Sequence, residues 1–370
     1  MVNVPYAGHT NPTLPLAQEL VKRGHHVYYI NAEEYRSKIE ATGARFVPYQ
    51  NYPDHPSEQQ KKTKCFRAAF DTANALNEQF DLLLYEMFFY PGIKIAESMS
   101  IPCVRQFSQP AWNRQTISSA TRLFKLSCVL IDFQVMGKKN ADYMKLRHKT
   151  LAEAVVNDNP DLNIVYTPSI FQKNRESFGD DYLFTIPISP SNPTSAGIPY
   201  QQMKHPIVYI SLGSIISNRG FCKECIRAFG NKEMSVILNT GKIKPESLGK
   251  IPDNIYAYSF VPQMEVLQHA DVFLTHCGMN SVNEAMVLGV PMVAMPFIND
   301  QLSNAECIVR LGIGKRVRSF PSSGKELYRT VEEVARDEGI KARSKEVQRE
   351  ISSEMSMEAI LQRIEQLAAK

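Results

Sequence analysis

The sequence predicts an α/β fold built from two doubly wound, parallel-sheet domains in tandem, and three observations carry that expectation. Short runs of β-branched and aromatic residues alternate with segments of helical period, the pattern of parallel strands joined by crossover helices. Between Ile188 and His205 the pattern gives way to Pro, Ser, Asn and Gly without periodicity, then restarts cleanly. At 370 residues the chain is also longer than one ordinary core supports. The expected division is an N-terminal domain over 1–187, a linker over 188–205, a second domain over 206–352 and a closing helix over 353–370.

Composition narrows the function classes. With 44% hydrophobic and 22% charged residues the chain is globular and not disordered. A formal net charge of +4 mildly favours an anionic small molecule and does not argue for nucleic acid. No run approaches ~18 consecutive apolar residues, and no basic-then-apolar leader opens the chain, so a cytoplasmic protein without a membrane span is expected. Seven cysteines, an odd number, do not make a complete disulfide framework. Cys222 and Cys225 form a C-x-x-C pair with no second pair at zinc spacing, and are expected on one face of a helix over 222–229.

Taken in order, Met1–Val4 reads as the end of a first strand and Pro5–His9 as the loop leaving it. Asn11 is placed as a helix cap with Pro12 at the first helical position, and Leu14, Leu16, Ala17, Leu20 and Val21 give the helical period before Gly24. Val27–Ile30 is the second strand, followed by a polar helix to Ala41 and a stop at Gly43. Asn51–Lys64 reads as loop, Cys65–Phe80 as helix, and Asp81–Tyr85 as a buried strand ending at Glu86. Pro91-Gly92 opens a helix, Pro102–Arg105 is a strand, 112–156 is helical with mixed polarity, and Asn163–Tyr166 and Tyr182–Phe184 are late strands. Beyond the linker, Ile207–Ile210 runs into Gly213-Ser214, and Val236–Leu238 and Ile255–Tyr258 follow. The last helix spans about Met357–Ala369.

The most informative stretch is Ser259–Gln301. The strand Val272–Thr275 enters His276-Cys277-Gly278, a helix runs from Asn280 to Gly289, and a further strand, Met292–Met295, leads to Asp300-Gln301. A strand, a glycine turn and a helix N-terminus present free N–H groups and the positive end of a dipole, which suits phosphate. His276 and Ser281 are placed to donate to phosphate oxygens. Glu284, one turn after Asn280, could accept from a ribose diol.

The ordered series F-V-P-Q, H-C-G-M-N-S-x-x-E, G-V-P and D-Q resembles the nucleotide-sugar signature of the UDP-dependent glycosyltransferases of family 1. The N-terminal G-H-x-N-P-x-L run resembles the bacterial macrolide- and flavonoid-type members. The resemblance implies the GT-B architecture, two Rossmann-like doubly wound domains facing across a cleft, with the last helix packing back on the first domain. It also implies a first strand several residues longer than the four present before Pro5, as if the gene model were incomplete.

On the donor side it places Phe260 against the uracil, Val261 and Gln263 beside the nucleoside, and Gly213, Ser214, His276, Gly278, Asn280 and Ser281 around the diphosphate. Glu284 then meets the ribose, and Asp300 and Gln301 the sugar. It makes His9 the base that takes the acceptor proton; Glu86, where the family has aspartate, would orient it. The implied reaction is inverting, metal-independent transfer of a hexose, glucose by the D-Q ending, from a UDP-sugar to a hydroxyl of a hydrophobic small molecule such as a flavonoid, phenol or macrolide. No cofactor beyond the UDP-sugar co-substrate is expected, and the protein is expected to act as a monomer. Two alternatives remain open at this point: a catalytically weak UDP-sugar-binding protein, and another GT-B enzyme such as a lipid or cell-wall transferase or a UDP-sugar epimerase.

Overall fold

The computed structural model describes residues 1–119, 129, 137–146, 150–187, 197–213, 218–297, 300–318, 323–354 and 356–369. Ser214 and half of the expected linker, residues 188–196, lie outside them. The chain divides into two compact units, Met1–Ser189 with Glu354–Lys370, and Pro190–Ser353.

In the first unit the helices are α1 (Ala7–Thr10), α2 (Leu14–Lys22), α3 (Arg36–Glu40), α4 (Glu58–Ala75), α5 (Gly92–Met99), α6 (Arg114–Ser119), α7 (Gly137–Tyr143) and α8 (Leu151–Asn157). Its strands are β1 (Tyr28–Asn31), β2 (Arg45–Pro48), β3 (Leu83–Glu86), β4 (Cys103–Phe107), β5 (Leu162–Val165) and β6 (Tyr182–Phe184), and every pairing among them is parallel. Val2 joins the two groups of strands, bridging in parallel to Ile30 on one side and Tyr85 on the other. The first strand is thus reduced to a single bridging residue. The lateral order becomes β2, β1, Val2, β3, β4, β5, β6, in which the chain starts centrally, steps one way and then reverses.

Four local expectations need correction. His9 is not in a loop: the Tyr6 carbonyl accepts from the amides of both His9 and Thr10, and the chain turns helical at Ala7. Asn11 is not a cap either; its φ of −56° is helical and its N–H bonds to the Ala7 carbonyl. The segment from Glu58 to Lys64 is helix rather than loop, because Ser57 and Gln60 form a reciprocal capping box that satisfies two end amides. α4 then stops at Ala75, before the expected Phe80.

The second unit contains β7 (Ile207–Ser211), α9 (Arg219–Phe229), β8 (Ser235–Asn239), β9 (Ile255–Tyr258), α10 (Gln263–His269), β10 (Val272–Thr275), α11 (Met279–Leu288), β11 (Met292–Ala294), α12 (Asp300–Arg310), β12 (Gly314–Arg316), α13 (Gly324–Arg336) and α14 (Glu338–Ile351). Its six-stranded parallel sheet runs β12-β11-β10-β7-β8-β9. Val208, Ile210, Val236, Leu238, Val272 and Leu274 share one core with Cys222 and Cys225 of α9, so both thiols are helix packing. Tyr209 and Phe273 stack on the opposite face, 4.8 Å apart. Burial on both faces explains why these strands read as near-continuous apolar runs.

α15 (Met357–Ala368) returns to the first unit, where Ile360, Leu361 and Ile364 join Leu16, Ala17 and Leu20 of α2. Arg23 pairs with Glu358 and Glu365 at the edge of that contact.

Candidate active site

In an open doubly wound sheet, ligands gather beyond the strand C-termini where the lateral order reverses. The first unit reverses between Val2 and β3. The second reverses between β7 and β10. His9 and Glu86 fall at the first place, and Gly213, His276, Gly278, Asn280 and Ser281 at the second, while Phe260 follows the edge strand β9 and Asp300 and Gln301 follow β11.

At the first, His9 sits on α1, just beyond Val2, and Glu86 closes β3. Glu86 Oε1 lies 2.9 Å from His9 Nδ1, and the carboxylate side chain is fully buried while the imidazole is 21% exposed. The buried carboxylate is held by two further donors: the Phe88 amide to Oε2 at 2.8 Å and the Ser108 hydroxyl to Oε1 at 2.9 Å. Ser108 Oγ also lies 2.8 Å from His9 Nδ1. The Phe88 ring meets the imidazole edge-on at 4.7 Å. Below, Asn3 Nδ2 donates to the His9 carbonyl, to Thr13 Oγ1 and to the Tyr29 hydroxyl, so the backbone of the histidine is tied to the buried layer. With its Nδ1 facing a carboxylate, the ring is set to carry its proton there and its lone pair on Nε2. The extra methylene of glutamate is accommodated, since the carboxylate reaches the ring.

At the second, His276 follows β10 and stands between two glycines. A Cβ on Gly213 would come 2.6 Å from its Cε1, and one on Gly278 would come 2.5 Å from its Nε2. Gly213 has a φ of +74° as well, so two independent constraints exclude a side chain there. Burial lowers the His276 pKa to about 4, and its buried Nδ1 has no partner among the described residues. The imidazole is therefore neutral at pH 7.

α11 starts directly after Gly278, with no side-chain cap, and the buried Asn280 Oδ1 likewise has no partner among the described residues. Cys277, between His276 and Gly278, adopts a left-handed φ of +67°. Its strained peptide is fixed at both ends: its N–H donates to Thr275 Oγ1 at 3.1 Å and its carbonyl accepts from Asn304 Nδ2 at 2.9 Å. Uncapped helix amides, a neutral imidazole and orphaned polar atoms in one turn make a receptor for an anion.

Gln263 links the rest of this site. Its Nε2 donates to Ser281 Oγ at 3.0 Å and to Glu284 Oε2 at 2.6 Å, while Tyr209 donates to its Oε1 at 3.2 Å. Burial raises the Glu284 pKa, and the Gln263 hydrogen bond opposes the rise. Val261 is buried, but the Phe260 ring is 75% exposed, so core packing does not explain it. Asp300 and Gln301 open α12, beyond β11, and Gln301 Oε1 accepts from the Phe297 amide at 2.9 Å. Residues that the sequence reading missed are Ser108, Thr275 and Asn304. Ser108 directly follows β4, whose predicted end at Arg105 was two residues too early. Asn304 lies four residues after Asp300 and so on the same helical face.

Two Rossmann-like units, one bearing a turn suited to an anion and the other a histidine–carboxylate pair, have the architecture of the GT-B class of glycosyltransferases. Comparison with known proteins agrees. Residues 181–352 match the family described as UDP-glucoronosyl and UDP-glucosyl transferase. NDP-glycosyltransferase YjiC of Bacillus licheniformis is 31% identical, the match covering 99% of this chain and 96% of the relative. Oleandomycin glycosyltransferase of Streptomyces antibioticus is 26% identical over 96% of this chain and 87% of its own. The solved structure of the glycotransferase of kitacinnamycin superposes with a TM-score of 0.84 at 25% identity, covering 99% of this chain and 97% of that one. The chain belongs to the UDP-glycosyltransferase family, and the protein is a glycosyltransferase that uses a nucleotide-sugar donor and an acceptor. No described helix is long and apolar enough to cross a membrane.

Proposed function

We propose that this enzyme transfers a hexose, glucose in the first instance, from a UDP-sugar to a hydroxyl of a hydrophobic small molecule of the macrolide, flavonoid or phenol type, with inversion at the anomeric carbon. The observation that carries the reading is the pairing of His9 Nδ1 with the buried Glu86 carboxylate. That pairing leaves Nε2 as the ring's proton acceptor and stabilises the imidazolium that forms. As the acceptor oxygen attacks the anomeric carbon its proton passes to Nε2, and the sugar–phosphate bond breaks with its electron pair leaving on UDP.

On this reading the departing diphosphate rests on the α11 amides, His276 and Gly213, with Phe260 against the uracil and Glu284 on the ribose. The charge developing on the leaving oxygen is met by fixed donors, so we assign no metal to the step. The macrolide class is supported by the name of the Streptomyces antibioticus relative. A mass-spectrometric screen of UDP-glucose, UDP-galactose and UDP-glucuronic acid against macrolides, flavonoids and simple phenols tests the proposal. Glucosides of several hydrophobic alcohols are expected. UDP binding without any acceptor-dependent product, or product only with lipid or protein acceptors, would refute it.

A further inference from the structure

We propose that Ser108 is a third, positioning member of the proton-accepting group, fixing the Glu86 carboxylate so that His9 keeps its proton on Nδ1. This rests on His9 being the base, as set out above. Three polar contacts close a ring: Nδ1 to Glu86 Oε1 at 2.9 Å, Nδ1 to Ser108 Oγ at 2.8 Å, and Ser108 Oγ to the same Oε1 at 2.9 Å. Only one proton arrangement satisfies all three. Nδ1–H points between the two oxygens, and the hydroxyl hydrogen goes to the carboxylate.

The physical need follows from burial and reach. Glu86 is fully buried and Ser108 is 4% exposed, so neither has water to fall back on. A glutamate has one more rotatable bond than an aspartate, and its carboxylate needs more anchors to hold one orientation. The Phe88 amide fixes Oε2, and Ser108 fixes Oε1. The other titratable groups nearby are the Tyr6 and Tyr29 phenols, which burial keeps neutral. By donating to Oε1, the hydroxyl also spends part of the carboxylate's charge and so tempers how strongly His9 holds a proton.

Ser108→Ala should therefore lower kcat about tenfold or more, the scale of a hydrogen bond to a buried charge. KM for the donor and UDP affinity should stay put, while the melting temperature falls because a buried carboxylate loses a donor. The acidic limb of the kcat–pH profile should move to higher pH, because a carboxylate with fewer donors stabilises the imidazolium more. Ser108→Cys, a weaker donor of similar shape, should fall between. In a Glu86→Gln background the serine substitution should change little.

A folded Ser108→Ala enzyme with unaltered kcat and pH profile would overturn the inference. If that variant does not fold, the 15N-imidazole spectrum of the wild-type protein decides, with His9 assigned by comparison with His9→Gln. An Nδ1–H tautomer at neutral pH sends the hydroxyl proton to Glu86 and supports the role; an Nε2–H tautomer would overturn it. An active His9→Ala enzyme defeats the base assignment itself, whereas an inactive one beside an unchanged Ser108→Ala defeats only this inference.

Discussion

Each half of the protein places a histidine at its topological switch point, and the two are built to opposite electrical ends. His9 faces a buried carboxylate anchored by three donors, which favours the charged imidazolium. His276 faces two glycines and meets no such partner, and burial holds it neutral down to about pH 4. The two histidines stand on opposite sides of the reversal, His9 after the first strand of its unit and His276 after the fourth of its own, and on the proposed reading one accepts a proton while the other receives an anion without competing for one. What differs is the residue the adjacent strand presents to each ring: Glu86, which closes β3, to His9, and Gly213, two residues beyond β7, to His276.

The contrast can be broken most severely at His9. His9→Ala should lower acceptor-dependent turnover by about 10³-fold, within the range of a lost general base, measured by UDP release. Glu86→Gln comes next, with a loss of about 10²-fold. It should also shift the acidic limb of the pH profile downward, since the imidazolium loses its carboxylate; an upward shift would contradict the pairing.

The neutral histidine predicts a stability effect. The unfolded chain binds a proton at His276 below about pH 6.5, whereas the folded chain does so only below about 4. Between those values the unfolded state holds more protons, so stability rises with pH there and is lost on acidification, by on the order of 2–3 kcal/mol. Chemical denaturation from pH 7 to 4 should show this slope diminished in His276→Gln, and an equal slope in both would remove the claim. A smaller effect is expected from Gly278→Ala. Its φ of −63° carries no backbone strain, so the substitution tests only the wall against the imidazole. UDP affinity should fall about tenfold by calorimetry, and unchanged affinity would mean the ring does not need that wall.

How much of each half could be read in advance follows from the same comparison. Apart from Gly213, the proposed anion receptor lies within one contiguous stretch, so strand, turn, helix and following strand were legible from local pattern. The proposed proton-accepting group is assembled from three chain segments, Glu86 lying 77 positions after His9 and Ser108 22 positions after Glu86. His9 and Glu86 were legible only through the family resemblance, since a histidine in a G-H pair and an acid at a strand end carry no local signal of their own. Ser108 was not, because Gln106 and Phe107 of β4 carry the strand two residues further than propensity suggested, and Gln106 pairs with Glu86 itself. Cys277 shows the other kind of limit. Its left-handed backbone is forced by Thr275 and Asn304, a tertiary effect that no local preference for cysteine announces.

The division of labour between the halves is tested most directly by titrating UDP into His9→Ala and wild-type protein side by side in a calorimeter. A dissociation constant unchanged within about twofold, alongside lost turnover, is the result the account predicts; a tenfold weaker affinity would contradict it.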